Sequence, residues 1–315
     1  MILNQNNKRK YETSYINGKV ANNANFVAEC EAEYSVRLES VAKAIIERGC
    51  TVVMASGPSA SGKTTSAWRL AHELRELGRD ALVISLDDFF RNIEEYPKNE
   101  EGEPDLESVY ALDLPCVNST VSELLENGAC ALPQFDFKKQ SRKPQCKPIR
   151  LGNGGIAIIE GIHALNPLLT ESILGDGVFN IYVGLRAEYY EDGKRTLATR
   201  DLRITRRLVR DFYFRGYSIE ETLSVWRHLM DGEEKWIKPF KDRADVLLDS
   251  SFAYEPCAFA PIMASLRIDE AQGGEYRPTL LSLCERFEHF NCVPIETIPD
   301  NAVLREFLGG LKMDD

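Results

Sequence analysis

Along the chain, short apolar runs alternate with stretches in which apolar residues recur every three to four positions. Thr51-Val52-Val53-Met54-Ala55 is a β-branched, nearly continuous apolar run, suited to a buried strand of a parallel sheet. Ala81 to Leu86, Gly155 to Ile159, Val178 to Val183 and Ala244 to Leu248 have the same character. Helical patterns lie between them. Leu38, Val41, Ala42, Ile45 and Ile46 share a face between Tyr34 and Gly49. Trp68, Leu70, Ala71 and Leu74 largely share another from Thr64 until Gly78 ends it. Strands alternating with amphipathic helices predict an α/β chain around a parallel sheet.

The pattern divides the chain into three parts. Residues 1–30 are polar and Asn-rich and are expected to be loose at their start; 31–255 form the core domain. Residues 256–315 form an extension packed on it, ending in a helix-like Asn301 to Leu311. Polar insertions fall at Arg91 to Glu107 and Lys138 to Arg150. Composition adds exclusions. No apolar stretch approaches a membrane span, and the opening MILNQNNKRK is too polar for a signal peptide. Eight cysteines without CxxC spacing and four scattered histidines predict reduced thiols in a cytoplasmic protein and no structural zinc. A net charge of −11 disfavours nucleic acid as a partner, while a local basic patch can still hold a small anion. A homo-oligomer is left open.

The stretch MASGPSASGKTT, Met54 to Thr65, supplies the first chemistry. Gly57 to Thr64 matches G-x-x-x-x-G-K-[ST] in full, after a strand pattern and before a helical one. Free N–H groups of such a loop and of the helix N-terminus point at phosphates. Lys63 adds charge at the β/γ-phosphates, and the Thr64 hydroxyl can ligate Mg²⁺. The expected phosphate-binding set is Gly57, Ser59, Ala60, Ser61, Gly62, Lys63, Thr64 and Thr65. The alternative is a glycine turn that caps a helix and binds nothing.

Ligands of open α/β sheets bind beyond the carboxyl ends of the strands. Two acids occur there: the run ending at Leu86 leads into Asp87-Asp88, and the run ending at Ile159 into Glu160. Glu160 is the candidate for holding Mg²⁺ with Thr64; its plainer reading is a surface acid at a turn. Phosphoryl transfer to a hydroxyl needs a positioned base. Asp87 is assigned that task, with Asp88 as its competitor.

Between Asp201 and Phe212, Arg203, Arg206, Arg207 and Arg210 fall within about 100° of one another in helical projection. Four clustered guanidiniums need an anion or carboxylates opposite them. Beside a complete phosphate loop, a lid that closes over the transferring phosphoryl group is the reading adopted. A solvated, salt-bridged helix is the alternative.

Together these blocks resemble the uridine kinase/phosphoribulokinase group of P-loop kinases, most closely its bacterial uridine kinase-like nucleoside kinases. The matching segments are GPSASGKTT, VISLDDFF, EPDLESVYALDLP, LPQFDFKKQSRKP, IAIIEGIHALNP, DLRITRRLVRDFYFRGYSIEETL, KDRADVLLDSS and PIETIPDNAVLREFLGG. The resemblance implies an α/β P-loop NTPase fold of the nucleoside monophosphate kinase-like type, a parallel sheet flanked by helices with an arginine-rich lid helix. It implies Lys63, Asp87, Arg203 and Arg207 as the catalytic set, with Asp87 as base. Asp105 would lie at the acceptor's sugar hydroxyls and Arg203 near the substrate. Arg206, Arg207 and Arg210 would form the lid over ATP, and Asp245 would lie near the ATP base. Pyrimidine-reading relatives carry a tyrosine and a histidine where this chain has Phe135 and Gln140. Phenylalanine can stack but has lost the hydroxyl, and glutamine reads a base edge differently from imidazole.

The expectation is therefore an ATP- and Mg²⁺-dependent kinase acting on a small hydroxylated acceptor, first of all a nucleoside at its 5′-hydroxyl. The rivals are the same transfer to a sugar, a sugar phosphate or a pantothenate-like molecule, and a nucleotide-binding regulatory protein with no acceptor. The N-K-x-D and D-x-x-G motifs of GTPase switches are not found in the chain.

Overall fold

The computed structural model describes residues 8–99, 102–137, 139–170 and 177–313. The start of the polar N-terminal segment and parts of both insertions, Glu100, Glu101 and Lys138, thus lie outside the described residues. In chain order, β1 (Arg9–Glu12) and α1 (Thr13–Asn22) precede the long α2 (Phe26–Glu47). β2 (Val52–Ser56) leads through the glycine loop into α3 (Lys63–Glu76), and β3 (Ala81–Ser85) follows. Next come α4 (Leu114–Asn127) and the short strands β4 (Ala129–Leu132), β5 (Phe135–Asp136), β6 (Ser141–Arg142) and β7 (Lys147–Arg150). β8 (Ile156–Glu160), the single turn α5 (Pro167–Thr170), β9 (Val178–Gly184), β10 (Ala187–Glu191) and β11 (Lys194–Leu197) lead to α6 (Thr199–Arg210). The chain continues through α7 (Ile219–Trp236), β12 (Val246–Asp249), α8 (Glu255–Ile268), α9 (Arg277–Glu285) and α10 (Arg305–Leu308).

The central sheet has the order β12-β9-β2-β8-β3, and every pairing in it is parallel. These five strands are the five apolar runs, with ends within one or two residues of those expected. β2 lies in the middle and is buried along its whole length, as its unbroken apolar pattern requires. Side chains alternate between the faces. Val53, Ala55, Ile158 and Ile181 face α2, α3 and α8, while Val52, Met54, Ala157 and Ile159 pack against α4. Truncating a fully buried residue such as Ile158 to alanine would cost about 2–5 kcal/mol. Register fixes what meets at the carboxyl ends: Glu160 lies opposite Ala55 of β2 on one side and Ser85 of β3 on the other.

One expectation is corrected, and two features go beyond what the sequence pattern shows. The polar N-terminal segment is structured from Arg9 onward: β1 pairs in parallel with β10, and Ile16 and Phe26 join the core. Its partner strand is distant in sequence, so local polarity conceals the pairing. The β10–β11 hairpin also escaped the apolar pattern, although its turn carries Asp192-Gly193, both with positive φ, a hairpin signal in itself. At the C-terminus, helix is confined to α10 instead of running from Asn301 to Leu311. Gly309 and Gly310, at φ +83° and +75°, end it early.

Candidate active site

The glycine loop leaves β2 at its carboxyl end, as a phosphate site in this architecture requires. A Cβ on Gly57 would sit 2.2 Å from the Val183 carbonyl oxygen, so only glycine lets the loop pass β9. Gly62 has φ +79°, and a Cβ there would meet the Val303 methyl at 2.4 Å. α3 starts at Lys63, which leaves its first N–H groups free of intrahelical partners. Ser59, Ala60, Gly62, Lys63 and Thr64 line one end of a cavity of about 270 Å³. Ser61 is fully buried beneath the loop, where its carbonyl accepts from the Ser250 hydroxyl at 2.5 Å.

The two strand-end acids meet through Ser85. Its hydroxyl donates to Glu160 Oε1 at 2.7 Å and accepts from the Asp87 N–H at 3.4 Å, starting a 3₁₀ turn over Leu86–Phe89. Glu160 is 2% exposed, and its Oε2 has no hydrogen-bond partner. Burial pushes its carboxyl up to about 7 against the pull of Lys63. An orphaned, buried carboxylate oxygen near a lysine suits a hard cation, and Mg²⁺ commonly uses one or two carboxylates with substrate phosphates. Asp87 and Asp88 face different surroundings. Asp87 lines the cavity, whereas Asp88 Oδ1 accepts from the Phe135 N–H at 3.3 Å.

The four clustered arginines of α6 (Arg203, Arg206, Arg207 and Arg210) divide two and two. Arg207 and Arg210 line the cavity; Arg207 also donates to Ser59 Oγ at 2.8 Å, and both pair with Asp211. Arg203 donates to the Ser59 carbonyl at 3.2 Å, but the rest of its guanidinium is bidentate to Glu233 of α7. Arg206 departs furthest from a lid. It is fully buried, bidentate to Glu255, and donates to the Ser250 carbonyl. The solvated-face reading of this helix is thereby overturned, and so is a single four-arginine lid. The carboxylates that offset the clustered charge are Asp211, Glu233 and Glu255.

At the cavity's other end Phe135 meets Phe90 and Phe137 edge-on at 5.8 and 5.2 Å, and Ile93, Tyr96, Leu106 and Gln140 complete the wall. Arg142 holds this hairpin against the β3 end, donating to the carbonyls of Phe89 and Phe90 at 3.0 Å each and pairing with Asp113. Asp105 does not line the cavity; its carboxylate accepts from the Glu107 N–H at 3.2 Å within its own turn. Glu107 is the acid that this insertion sends into the cavity, packed against Gly232 of α7. Burial pushes Glu107 up to about 7, while Arg207 and Lys63 oppose the shift. Asp245 is also misplaced for ATP. It precedes β12, at the amino end of the sheet, paired with Arg48 at 2.8 Å and accepting from the Asn180 N–H.

A family model, described as the phosphoribulokinase / uridine kinase family, matches residues 52–253, more than half of the chain. The chain belongs to that family. This kinase is 25% identical over 194 residues to a uridine kinase of Halobacterium salinarum, covering 61% of this chain and 77% of that one. It is 25% identical over 206 residues to a uridine kinase of Deinococcus deserti (65% and 90%), and 27% over 205 residues to one of Aeromonas hydrophila (64% and 87%). Among solved structures, a "possible uridine kinase" from Bacillus stearothermophilus aligns at TM-score 0.49 and 18% identity, over 69% of this chain and 100% of that one. A D-glycerate 3-kinase from Cryptococcus neoformans aligns at TM-score 0.35 and 17% identity, over 86% and 87%. Membership makes the protein an ATP-dependent kinase with the P-loop kinase fold. Among the described residues, no helix is long and apolar enough to cross a membrane.

Sequence reasoning missed several cavity residues, Glu107, Arg215, Tyr217 and Glu306 among them. Glu107 stands two positions from Asp105, the acid expected at the acceptor's hydroxyls. Glu306 lay in the LREFLGG segment, to which no chemistry was assigned.

Proposed function

We propose that this kinase transfers the γ-phosphate of ATP to the 5′-hydroxyl of a nucleoside-like acceptor. One observation carries the reading: Asp87 lines the same cavity as the glycine loop, Arg207 and Arg210, and the aromatic rings of Phe90, Tyr96, Phe135 and Phe137. Asp87 takes the proton of the attacking hydroxyl. Lys63, Arg207 and Arg210 stabilise the charge that spreads over the phosphoryl oxygens, in a cleft where fixed charges count for more than in water. Thr64 and Glu160 would hold Mg²⁺, which neutralises phosphate charge when bound. Glu107, not Asp105, anchors the acceptor's sugar hydroxyls, since a carboxylate accepts from two neighbouring hydroxyls at once. Phe135 stacks on the base and Gln140 reads its edge.

A sugar phosphate is the weaker fit. The acceptor end offers an acid and a wall of rings, and the nearby Arg142 is committed to backbone carbonyls and Asp113. The test is a coupled assay of ATP turnover against ribonucleosides, deoxyribonucleosides, sugars, sugar phosphates and pantothenate. Ribonucleosides should give the highest kcat/KM and 2′-deoxy analogues lower values. Uridine and cytidine should not lead, because Phe135 and Gln140 lack the hydroxyl and imidazole with which relatives read a pyrimidine. Preference for a phosphorylated sugar would refute the nucleoside reading and leave the kinase reading standing.

A further inference from the structure

The C-terminal segment reaches the phosphate loop. Val303, Leu304 and Phe307 are fully buried, with Val303 against Gly62 and the Phe307 ring under the Arg206 guanidinium at 5.0 Å. Arg305 donates to the carbonyls of Ile295 and Ile298 at 2.9 and 2.7 Å. The backbone on both sides of Glu306 is thus fixed, and its side chain is delivered to the first turn of α3. There Glu306 Oε2 accepts from Thr65 Oγ1 at 2.6 Å and from the Thr65 N–H at 3.4 Å. Thr65 is itself fully buried, while Glu306 lines the same cavity as Lys63 and Arg207.

The free N–H groups at this end of α3 are those that a glycine loop offers to the α/β-phosphates. A carboxylate here does chemically what a phosphate oxygen does: it places an anionic acceptor at the positive end of a helix. The two anions cannot share Thr65 without like-charge contact. We propose that Glu306 is an internal occupant of the phosphate site, which caps α3 in the free kinase and rotates away when a nucleotide enters. The C-terminal segment thereby sets nucleotide affinity. Because its neighbours are buried, the change is a side-chain rotation and not a movement of the segment. Apparent affinity is reduced by the fraction of molecules in which Glu306 has vacated the loop.

This inference rests on reading the glycine loop as the ATP phosphate site, so wild-type binding of ATP, ADP and adenosine is measured first by calorimetry. No ATP binding by the wild type would count against the loop assignment itself. Glu306→Gln removes the charge at nearly constant shape, and Glu306→Asp keeps the charge but shortens its reach. Both should tighten ATP and ADP by roughly three- to tenfold, through the vacated fraction. Adenosine, which lacks phosphates, should bind unchanged. The melting temperature of free Glu306→Gln should fall as the helix cap weakens. Unchanged ATP affinity in both variants would overturn the proposal. So would weaker binding of ATP and adenosine alike, which would make Glu306 a contact of the bound nucleoside.

Discussion

Asp87 and Asp88 are adjacent and chemically identical, so the pair tests the geometry directly. Asp87 shares the cavity with Lys63, Arg207 and Glu107; Asp88 accepts from the Phe135 N–H and lines no part of it. Asp87→Asn removes the proposed base and should lower kcat by about 10²–10⁴-fold, the usual worth of a placed proton acceptor. That is about 3–5 kcal/mol in the barrier. Asp88→Asn retains an amide oxygen that can still accept from Phe135. Only the charge-assisted part of that bond is lost, of order 1 kcal/mol. Because Phe135 belongs to the proposed acceptor wall, the loss should appear as an acceptor KM raised severalfold with kcat nearly intact. The assay is steady-state kinetics on the best acceptor, varying ATP and acceptor separately, with melting curves to confirm folding. A kcat for Asp87→Asn within tenfold of wild type, or Asp88→Asn as the more damaging change in kcat, would refute the assignment of the base.

Three further substitutions test other parts of the site. Lys63→Ala should abolish transfer while its melting temperature stays close to wild type, since the ammonium faces the cavity; measurable turnover near the wild-type rate would contradict the role of the loop. Arg206→Ala and Arg207→Ala should separate stability from catalysis. The first leaves Glu255 buried without its partner and should destabilise by about 3–5 kcal/mol, while the second should lower kcat by more than it weakens ATP binding; urea melts and initial rates distinguish them. Glu107→Gln should raise acceptor KM and also change the pH dependence of stability. The folded-state pKa of Glu107 is raised to about 7 from the ordinary 4.5. The folded chain therefore binds more protons than the unfolded one between those values, and stability falls as pH rises through that window. The variant's melting temperature should match wild type near pH 4.5 and exceed it at pH 8; equal curves at both would refute the raised pKa of Glu107.

The strand, glycine loop and helix around Lys63 were legible because that arrangement is local. A buried parallel strand is a continuous apolar run, and the loop that follows β2 is a contiguous motif. What was misread depends on contacts distant in sequence. The helical projection put Arg203, Arg206, Arg207 and Arg210 on one face but could not show that Glu233 and Glu255 would claim two of them. Glu103, Asp105 and Glu107 alternate in one polar insertion, and only packing against Gly232 of α7 sends Glu107 into the cavity. Asp245 could have been excluded from the sequence alone. It stands at the amino end of the apolar run Ala244 to Leu248, and ligands in this architecture bind beyond the other end.

The two halves of the cavity are built in different ways, and this bears on how the protein can change. Glu160 ends β8, Asp87 lies just past β3, and Lys63 begins the helix that the glycine loop joins to β2, three paired strands whose register is fixed by alternating burial on both faces. Slipping one strand by a residue would turn its buried set over, so these positions move only if the sheet fails. Phe135, Gln140 and Glu107 stand on segments outside that sheet, held by ties that strand register does not set, among them Arg142 to the Phe89 and Phe90 carbonyls and Asp113, Asp88 to Phe135, and Glu107 against α7. Substitutions in these insertions can reshape the acceptor wall while the strand ends keep their spacing. The groups proposed for phosphoryl transfer thus follow from the sheet, whereas the proposed acceptor wall stands on loops that the sheet does not constrain.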